Sequence, residues 1–188
     1  MSAGQDAVAR LVAEAKSYIE GLKAERKGVE AVLSRLAEFD LSADAVTLPE
    51  PVETPTCGHL DAALALAAAS GAKPLAEAIS AARPFLHWIT YDAYGPAIGP
   101  RFPKNHTFSG LVGEYRMIPA SDFAFGIFLI APRTLYRDHR HPAPELYVPL
   151  TGPTRWRFER GAWETRAPGE PVWNEPNAVH ATLVGETP

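Results

Sequence analysis

The sequence has few of the residues that cross-link a chain or anchor it in a membrane. Cys57 is the only cysteine among 188 residues, which excludes an internal disulfide framework and a cysteine-rich zinc site. No apolar run approaches the roughly 20 residues of a membrane span, and the chain does not begin with a charged and then apolar leader. The net charge of −4 gives a nucleic-acid partner no electrostatic support. These absences predict a cytoplasmic protein with neither a membrane nor a nucleic-acid partner.

Proline is missing from the first 48 residues, and all 18 prolines lie at or beyond Pro49. Helix interiors exclude proline, whereas turns and strand ends tolerate it. Apolar residues recur at helical spacing over 5–22 and again over 29–37, which fits one long helix or two helices with a break. The front of the chain is therefore predicted to be helical.

The pattern of apolar residues changes to period two from about residue 111, in short segments separated by proline and glycine. Strands are predicted at 112–118, 123–130, 135–141, 145–150 and 154–160, with shorter ones near 163–166, 171–173 and 179–184. The Gly- and Pro-rich segment 95–110 is predicted to be a loop. The predicted fold is therefore α+β.

Two regions follow from these patterns. A mainly helical N-terminal region covers 1–110 and contains a proline-rich linker near 48–56. A single antiparallel β domain, a sandwich or a barrel, covers 111–188.

One short segment concentrates side chains that bind metals. His139 and His141 project to the same side of a strand, and Glu145 and Tyr147 share a face for the same reason. A Pro-Ala-Pro turn between the two pairs would aim them into one space, which His180 on a later strand could close. Three imidazoles and one carboxylate suit a divalent transition metal ion. Iron, zinc or manganese are the expected metals, and nickel or cobalt would also be accepted.

The spacing of these residues is that of a known motif. His139, His141, Glu145 and Gly152 follow the pattern His-x-His-x3-Glu-x6-Gly, which resembles the first motif of the cupin superfamily. Arg133 stands where that motif usually begins with glycine. Gly161, Pro168-Gly169 and His180 resemble the second cupin motif with altered spacing. The resemblance implies that 111–188 form a metal-binding cupin barrel, a single antiparallel β-barrel of the jelly-roll type.

Within the cupins, the runs 129–136 and 169–173, together with the two histidine segments, resemble the dimethylsulfoniopropionate lyases. The Q-type members, which are DddQ-like, match best in length and layout. The resemblance implies that a bacterial enzyme of sulfur metabolism cleaves a sulfonium carboxylate by β-elimination, with a tyrosine as base and a metal on the substrate carboxylate. It implies His139, His141, Glu145 and His180 as metal ligands. Tyr147 would be the base.

The same resemblance makes Tyr136 a second active-site tyrosine, although a regular strand would turn it away from His139 unless a bulge intervened. A substrate cation favours aromatic walls. The candidates for such walls are Trp163, Trp173, Trp88 and Tyr91, with Tyr94, Phe123 and Phe125 as further ones. No other metal-binding residue lies at a motif-like spacing from His106, which is therefore predicted to be structural or exposed.

Two other functions stay open from the sequence. The same metal cradle could serve a different cupin enzyme, such as a dioxygenase or an isomerase. A non-catalytic cupin that binds a small molecule is the second alternative. The chain is expected to be a monomer or a homodimer. Because only eight residues follow His180, further C-terminal strands are expected to be missing.

Overall fold

The computed structural model describes residues 2–91 and 94–188 and places four α-helices ahead of the sheets. The helices are α1 (Ala3–Glu20), α2 (Arg26–Leu36), α3 (Leu60–Ala67) and α4 (Lys73–Ala82). The strands are β1 (His106–Gly113), β2 (Ile118–Pro119), β3 (Ala124–Ile130), β4 (Leu135–His139), β5 (Glu145–Tyr147), β6 (Thr154–Phe158), β7 (Glu164–Arg166), β8 (Val172–Asn174) and β9 (His180–Val184). The predicted α+β class, with N-terminal helices before antiparallel sheets, is confirmed.

The helical front consists of two separate helices before residue 40. Ser2 and Gln5 form a capping box that starts α1, since each side chain accepts a hydrogen bond from the other residue's backbone N–H. Glu25 takes φ 49°, a left-handed conformation that interrupts the helical backbone between α1 and α2. The buried face of α1, with Val8, Leu11 and Val12, joins the main hydrophobic core.

The stretch Pro55–Phe85 is long and apolar enough to cross a membrane by length and composition alone. It is divided at Gly71, which takes φ 98°, and Pro74 begins the next helical segment. Leu75 and Ile79 of α4 are buried in the same core as α1. These contacts are those of core helices, so the stretch is weak evidence for a membrane span.

The strands form two sheets and one separate pair. One sheet has the order β2-β1-β3, the second has the order β4-β9-β6-β7, and β5 pairs with β8. The β1–β2 pairing is parallel, and the other pairings are antiparallel. The second sheet and the β5–β8 pair carry the residues that the sequence predicts as a site.

The predicted strand at 112–118 is wrong. The strand begins at His106, inside the segment predicted as a loop, and ends at Gly113. Its register with β3 shifts between Gly110 and Val112, so it tolerates a glycine at a bulge. Glycine was therefore a misleading sign of a loop here. The division of the chain at residue 110 into two regions remains a prediction.

Arg133 occupies the turn before β4. It takes φ 56°, a left-handed conformation in which glycine is the preferred residue. This is the position at which the cupin motif usually has glycine. The backbone shape of that turn is therefore compatible with the motif, although the side chain differs.

Candidate metal centre

A β-bulge in β4 places Tyr136 on the same side as the first histidine. Tyr136 pairs with Thr182 of β9, and the next aligned pair is His139 with His180, so three steps on β4 match two on β9. The extra residue reverses the alternation of faces. The rings of Tyr136 and His139 consequently stack, with centroids 3.8 Å apart and planes 18° apart. This is the bulge that an active-site role for Tyr136 requires.

The three predicted histidines meet at one point. His139, His141 and His180 can each offer a ring nitrogen such that these atoms lie within 4.8 Å of one another. Each Nδ1 lies 2.8–2.9 Å from a backbone carbonyl oxygen two residues away. A carbonyl oxygen can only accept, so each Nδ1 carries the proton and each neutral ring keeps a lone pair on Nε2. The three Nε2 atoms are buried and have no hydrogen-bond partner among the described residues.

Glu145 completes the cluster from the neighbouring pair of strands. Its Oε2 lies 2.9 Å from Nε2 of His141 and 3.5 Å from Nε2 of His180. Atoms that both present lone pairs repel each other at such distances. Ligand atoms about 3 to 3.5 Å apart surround a divalent cation bound at about 2.1 Å. The residues present therefore fit a divalent metal ion, held by three imidazoles and one carboxylate.

The carboxylate is oriented by its own neighbours. Asn174 of β8 pairs with Glu145 in the register of the two strands, and its Nδ2 donates to Oε2 at 3.5 Å. The hydroxyl of Tyr147 donates to Oε1 at 3.4 Å. Residues that hold a ligand in this way fix its direction toward the metal.

The surroundings set the charge of these groups. Burial lowers the pKa of His139 to about 4, so its ring is neutral at neutral pH, which is the form that binds metal. Burial alone would raise the pKa of Glu145, but the adjacent His141 and His180 and the hydrogen bond from Asn174 outweigh that effect and lower it. The carboxylate is therefore ionised and able to act as a ligand.

Both predicted tyrosines border the histidine cluster. The ring of Tyr147 lies between Trp156, at 5.1 Å, and Phe128, at 6.1 Å. Burial and the adjacent Glu145 raise the pKa of Tyr147 well above its usual value. Burial raises the pKa of Tyr136 as well. A phenolate at either position therefore needs a positive charge nearby.

The structure does not bring the three predicted tryptophans to the histidines. Trp88 is fully buried in the core formed with the helices. Trp163 has the guanidinium groups of Arg155 and Arg157 over its ring at 6.0 and 4.7 Å, on the opposite face of β6 from Trp156. Trp173 packs on α2, where a Cβ at Gly28 would lie 2.6 Å from its ring. These positions give no support to a substrate-binding role.

The remaining predicted aromatic residues lie on two sides. Tyr91 is 54% exposed, and its ring meets that of Tyr94 edge-on at 4.8 Å. Tyr94 in turn contacts Tyr136. The other two candidates, Phe123 and Phe125, pack against the hydrophobic core. Within the described part of the chain, Tyr91 is therefore linked to the site through Tyr94.

Sequence reasoning missed a column of four rings beside the site. His139, Tyr136, Phe102 and His106 stack in that order, with successive centroids 3.8, 3.7 and 4.4 Å apart. Their successive planes differ by 18°, 8° and 3°. His106 is buried at the start of β1, in the part of that strand that lies within the predicted loop 95–110. If the strand had been predicted to begin at residue 106, the alternation of its side chains would have placed His106 on the buried face.

Comparisons with known proteins agree with this geometry. The sequence model of the dimethylsulfoniopropionate (DMSP) lyase family matches residues 25–188. A putative DMSP lyase, DddL, from Cereibacter sphaeroides is 26% identical over 167 residues, which cover 88% of this chain and 67% of the relative.

Two solved structures share the fold. One, described as crystal structures of the DMSP lyases RdDddP and RnDddQII, gives a TM-score of 0.71 at 20% identity and covers 98% of this chain and 89% of the other. The DMSP lyase DddQ from Ruegeria pomeroyi gives a TM-score of 0.60 at 24% identity, with 91% and 87% covered. At these identities the likeness shows the fold alone.

Proposed function

The chain belongs to the DMSP lyase family, and we propose that it cleaves DMSP to dimethyl sulfide and acrylate at one divalent metal ion. Family membership makes it a carbon–sulfur lyase. The ligand in this proposal is a small sulfonium carboxylate. The metal would be held by His139, His141, His180 and Glu145, with iron, zinc or manganese as the expected ions.

One observation carries the metal dependence. The three buried Nε2 atoms present lone pairs to a common point, and no described protein group donates to them. Leaving several buried acceptors unpaired is unfavourable, and a cation removes that cost. A cluster of merely structural histidines would instead pair their Nε2 atoms with protein donors.

The reaction is the removal of one proton and one leaving group from adjacent carbons. The bound ion would act as a Lewis acid on the substrate carboxylate and stabilise the negative charge that develops there. Tyr147 would take the proton from the carbon next to that carboxylate onto its phenolate oxygen. The freed electron pair forms the carbon–carbon double bond and expels dimethyl sulfide, which is neutral and needs no acid.

The position of Tyr147 supports this role. Its hydroxyl contacts Glu145, one of the four proposed ligands, so it lies next to the position of the ion. Burial and Glu145 both oppose the phenolate. A neighbouring cation would favour the phenolate. Tyr136, stacked on His139, would be the second tyrosine of the site.

The alternatives are separated by metal content and substrate. A dioxygenase or isomerase would use the same histidines, and a binding-only cupin would keep the pocket without turnover. Family membership favours the lyase over both. Metal at less than one ion per chain in purified protein would favour the binding-only function.

The decisive experiment is headspace detection of dimethyl sulfide after DMSP is added to protein loaded with iron, manganese, zinc, nickel or cobalt. We expect product with at least one metal and none after chelation. No product with any of the five metals would refute the proposal. A cytoplasmic location and a monomeric or homodimeric state remain predictions from the sequence.

A further inference from the structure

An ion pair across the sheet ties the bulge of β4 to β6. Arg157 of β6 donates from Nε to Oδ1 of Asp138 at 3.1 Å, and its Nη2 donates to Oδ2 of the same carboxylate. The two side chains are only 26% and 23% exposed. The guanidinium carbon also lies 4.7 Å from the centre of the Trp163 ring. Such a two-point contact with a carboxylate is stronger and better directed than an ordinary surface ion pair.

The pair crosses the strand that separates its two partners. In the sheet order β4-β9-β6-β7, β9 lies between them. Ala181 of β9 is aligned with Arg157, and on its other side it lies opposite the bulge, between the aligned pairs of Tyr136 and of His139. Since neighbouring residues of a strand face opposite sides, Ala181 faces away from the histidines. Its small side chain leaves room for the ion pair to pass over β9.

The bulge is the part of β4 that its sheet holds least well. The extra residue interrupts the ladder of hydrogen bonds to β9. β4 is also the edge strand of this sheet, so within the described chain no further strand pairs with its other side. Asp138 is one of the two residues between the aligned pairs, and its ion pair therefore supplies a tether where the ladder is interrupted.

The bulge carries two groups of the proposed site. Tyr136 and His139 flank it and face the same side. The ring of His139 donates from Nδ1 to the carbonyl oxygen of Arg137, inside the bulge, at 2.8 Å. A displacement of this backbone would therefore carry the His139 ring with it, even where the register of the strand is kept. The tether thus bears on where Nε2 of His139 lies relative to the other ligands.

We propose that Arg157 is a positioning residue, which acts through Asp138 to hold the bulge and so keeps His139 directed at the metal. This inference rests on the proposed function, because it takes His139 as a ligand. Arg157 is aligned with Ala181 and shares its outward face, so it acts on the site through the backbone of β4 and not by contact with a ligand. Trp163 is the surface on which its guanidinium rests.

The test measures zinc affinity and needs no substrate. Competition with a chromophoric chelator gives the Kd of the wild type and of Arg157→Gln, which loses the charge and the two-point contact. We expect the Kd to rise about tenfold, the low end of the range for residues that orient a metal ligand from outside. Arg155→Gln is the matched control, since Arg155 lies over the same tryptophan ring at 6.0 Å but is not the partner of Asp138. It should bind zinc as the wild type does.

Two further comparisons separate positioning from general stability. In a His139→Ala background, Arg157→Gln should leave the Kd of zinc unchanged, because the residue through which it acts is gone. Asp138→Asn should weaken zinc binding as Arg157→Gln does, and the double variant should be no weaker than either. An ion pair that only stabilises the fold would lower the melting temperature of the metal-free protein without changing the Kd, and that result would overturn the inference. If Arg157→Gln fails to fold, Asp138→Asn decides.

Failure of the proposed function shows in the wild type rather than in the variants. A wild type that binds zinc but releases no dimethyl sulfide would count against the lyase reaction and leave the comparison of Kd values intact. A wild type that binds no zinc would remove the metal site and this inference with it. Equal Kd values for Arg157→Gln and a zinc-binding wild type would overturn the inference alone.

Discussion

The backbone sets the donor atoms of the proposed metal ligands. A carbonyl oxygen two residues away from each histidine holds the proton on Nδ1. Each ring then presents Nε2 without help from a second side chain, although carboxylates often play that part for metal-bound histidines. The tautomers are therefore set by local backbone conformation, so substitutions at distant side chains should leave them unchanged.

Tyr147 is the residue on which the proposed reaction depends. Tyr147→Phe removes the hydroxyl but keeps the ring between Trp156 and Phe128. Loss of a general base costs about 10²- to 10⁴-fold in rate, so headspace assays should show that fall in dimethyl sulfide production. Metal content should be unchanged. The matched control is Tyr115→Phe, since Tyr115 is 94% exposed. Near wild-type activity in Tyr147→Phe would remove Tyr147 from the mechanism.

At the scale of elements, α2 is fitted closely to the β5–β8 pair. A Cβ at Gly28 would lie 2.6 Å from Cε3 of Trp173 and 3.1 Å from Cδ1 of Leu146. Glu145 and Asn174 are the chain neighbours of these two residues and point to the other face. The helix therefore supports the back of the strands that orient the carboxylate.

Gly28→Ala tests this contact. Alanine normally stabilises a helix interior by about 0.5–1 kcal/mol relative to glycine, but overpacking here should outweigh that gain. We expect the free energy of unfolding, measured in urea, to fall by about 1–3 kcal/mol. Gly58→Ala is the control, since no described atom beyond its own chain neighbours and local helix backbone lies within 4 Å of its added Cβ. A stabilised Gly28→Ala protein would contradict the close contact.

The sequence predicted the elements that have regular periods. Alternation placed β4, β5, β6 and β9 to within a few residues, because one face of each strand is buried. The motif spacing brought His139, His141 and Glu145 together correctly. His180 reaches the other ligands because β9 pairs with β4, which aligns it with His139, 41 residues earlier in the chain. Local periodicity does not report such a long-range pairing.

Other features depend on tertiary contacts that sequence patterns do not report. The Gly- and Pro-rich look of 95–110 concealed the start of β1, and with it the burial of His106. The side chain of Trp173 in β8 faces α2 and packs against Gly28. The sequence placed Trp173 in a strand close to His180, but it did not show that this side chain faces the helix rather than the histidines. A bulge adds one residue to a strand and so reverses which side the following side chains face. The alternation of apolar residues did not predict the bulge in β4. The one indication of it was that an active-site role for Tyr136 required this residue to lie on the same side as His139.

At the scale of the whole molecule, the proposed ion would join β4, β5 and β9 and so stabilise the fold. A ligand that binds only the folded state adds about 2.7 kcal/mol at 100 times its Kd. Zinc titration should therefore raise the melting temperature, and chelation should reverse the rise. His141→Ala should abolish the zinc-dependent shift. A shift of wild-type size in that variant would place the ion elsewhere.

Acid should destabilise the protein partly through His106. Burial lowers its pKa, so as pH falls below about 6.5 the unfolded chain takes up a proton before the folded one does. Stability is therefore lost on acidification. Between pH 7.5 and 5, urea denaturation should show a smaller loss for His106→Gln than for the wild type, with His59→Gln as the control. Equal losses in the wild type and His106→Gln would contradict this assignment.

The bulge in β4 also bears on how this protein can change in length. Deleting one residue between Tyr136 and His139 would restore a regular register and turn one of the two side chains outward. Substitutions at the two intervening positions keep this register, and the one side-chain pairing they affect among the described residues is the ion pair of Asp138 with Arg157. Insertions and deletions in this short stretch should therefore be far more harmful than substitutions there. A library that varies its length, screened for dimethyl sulfide, would retain the present spacing.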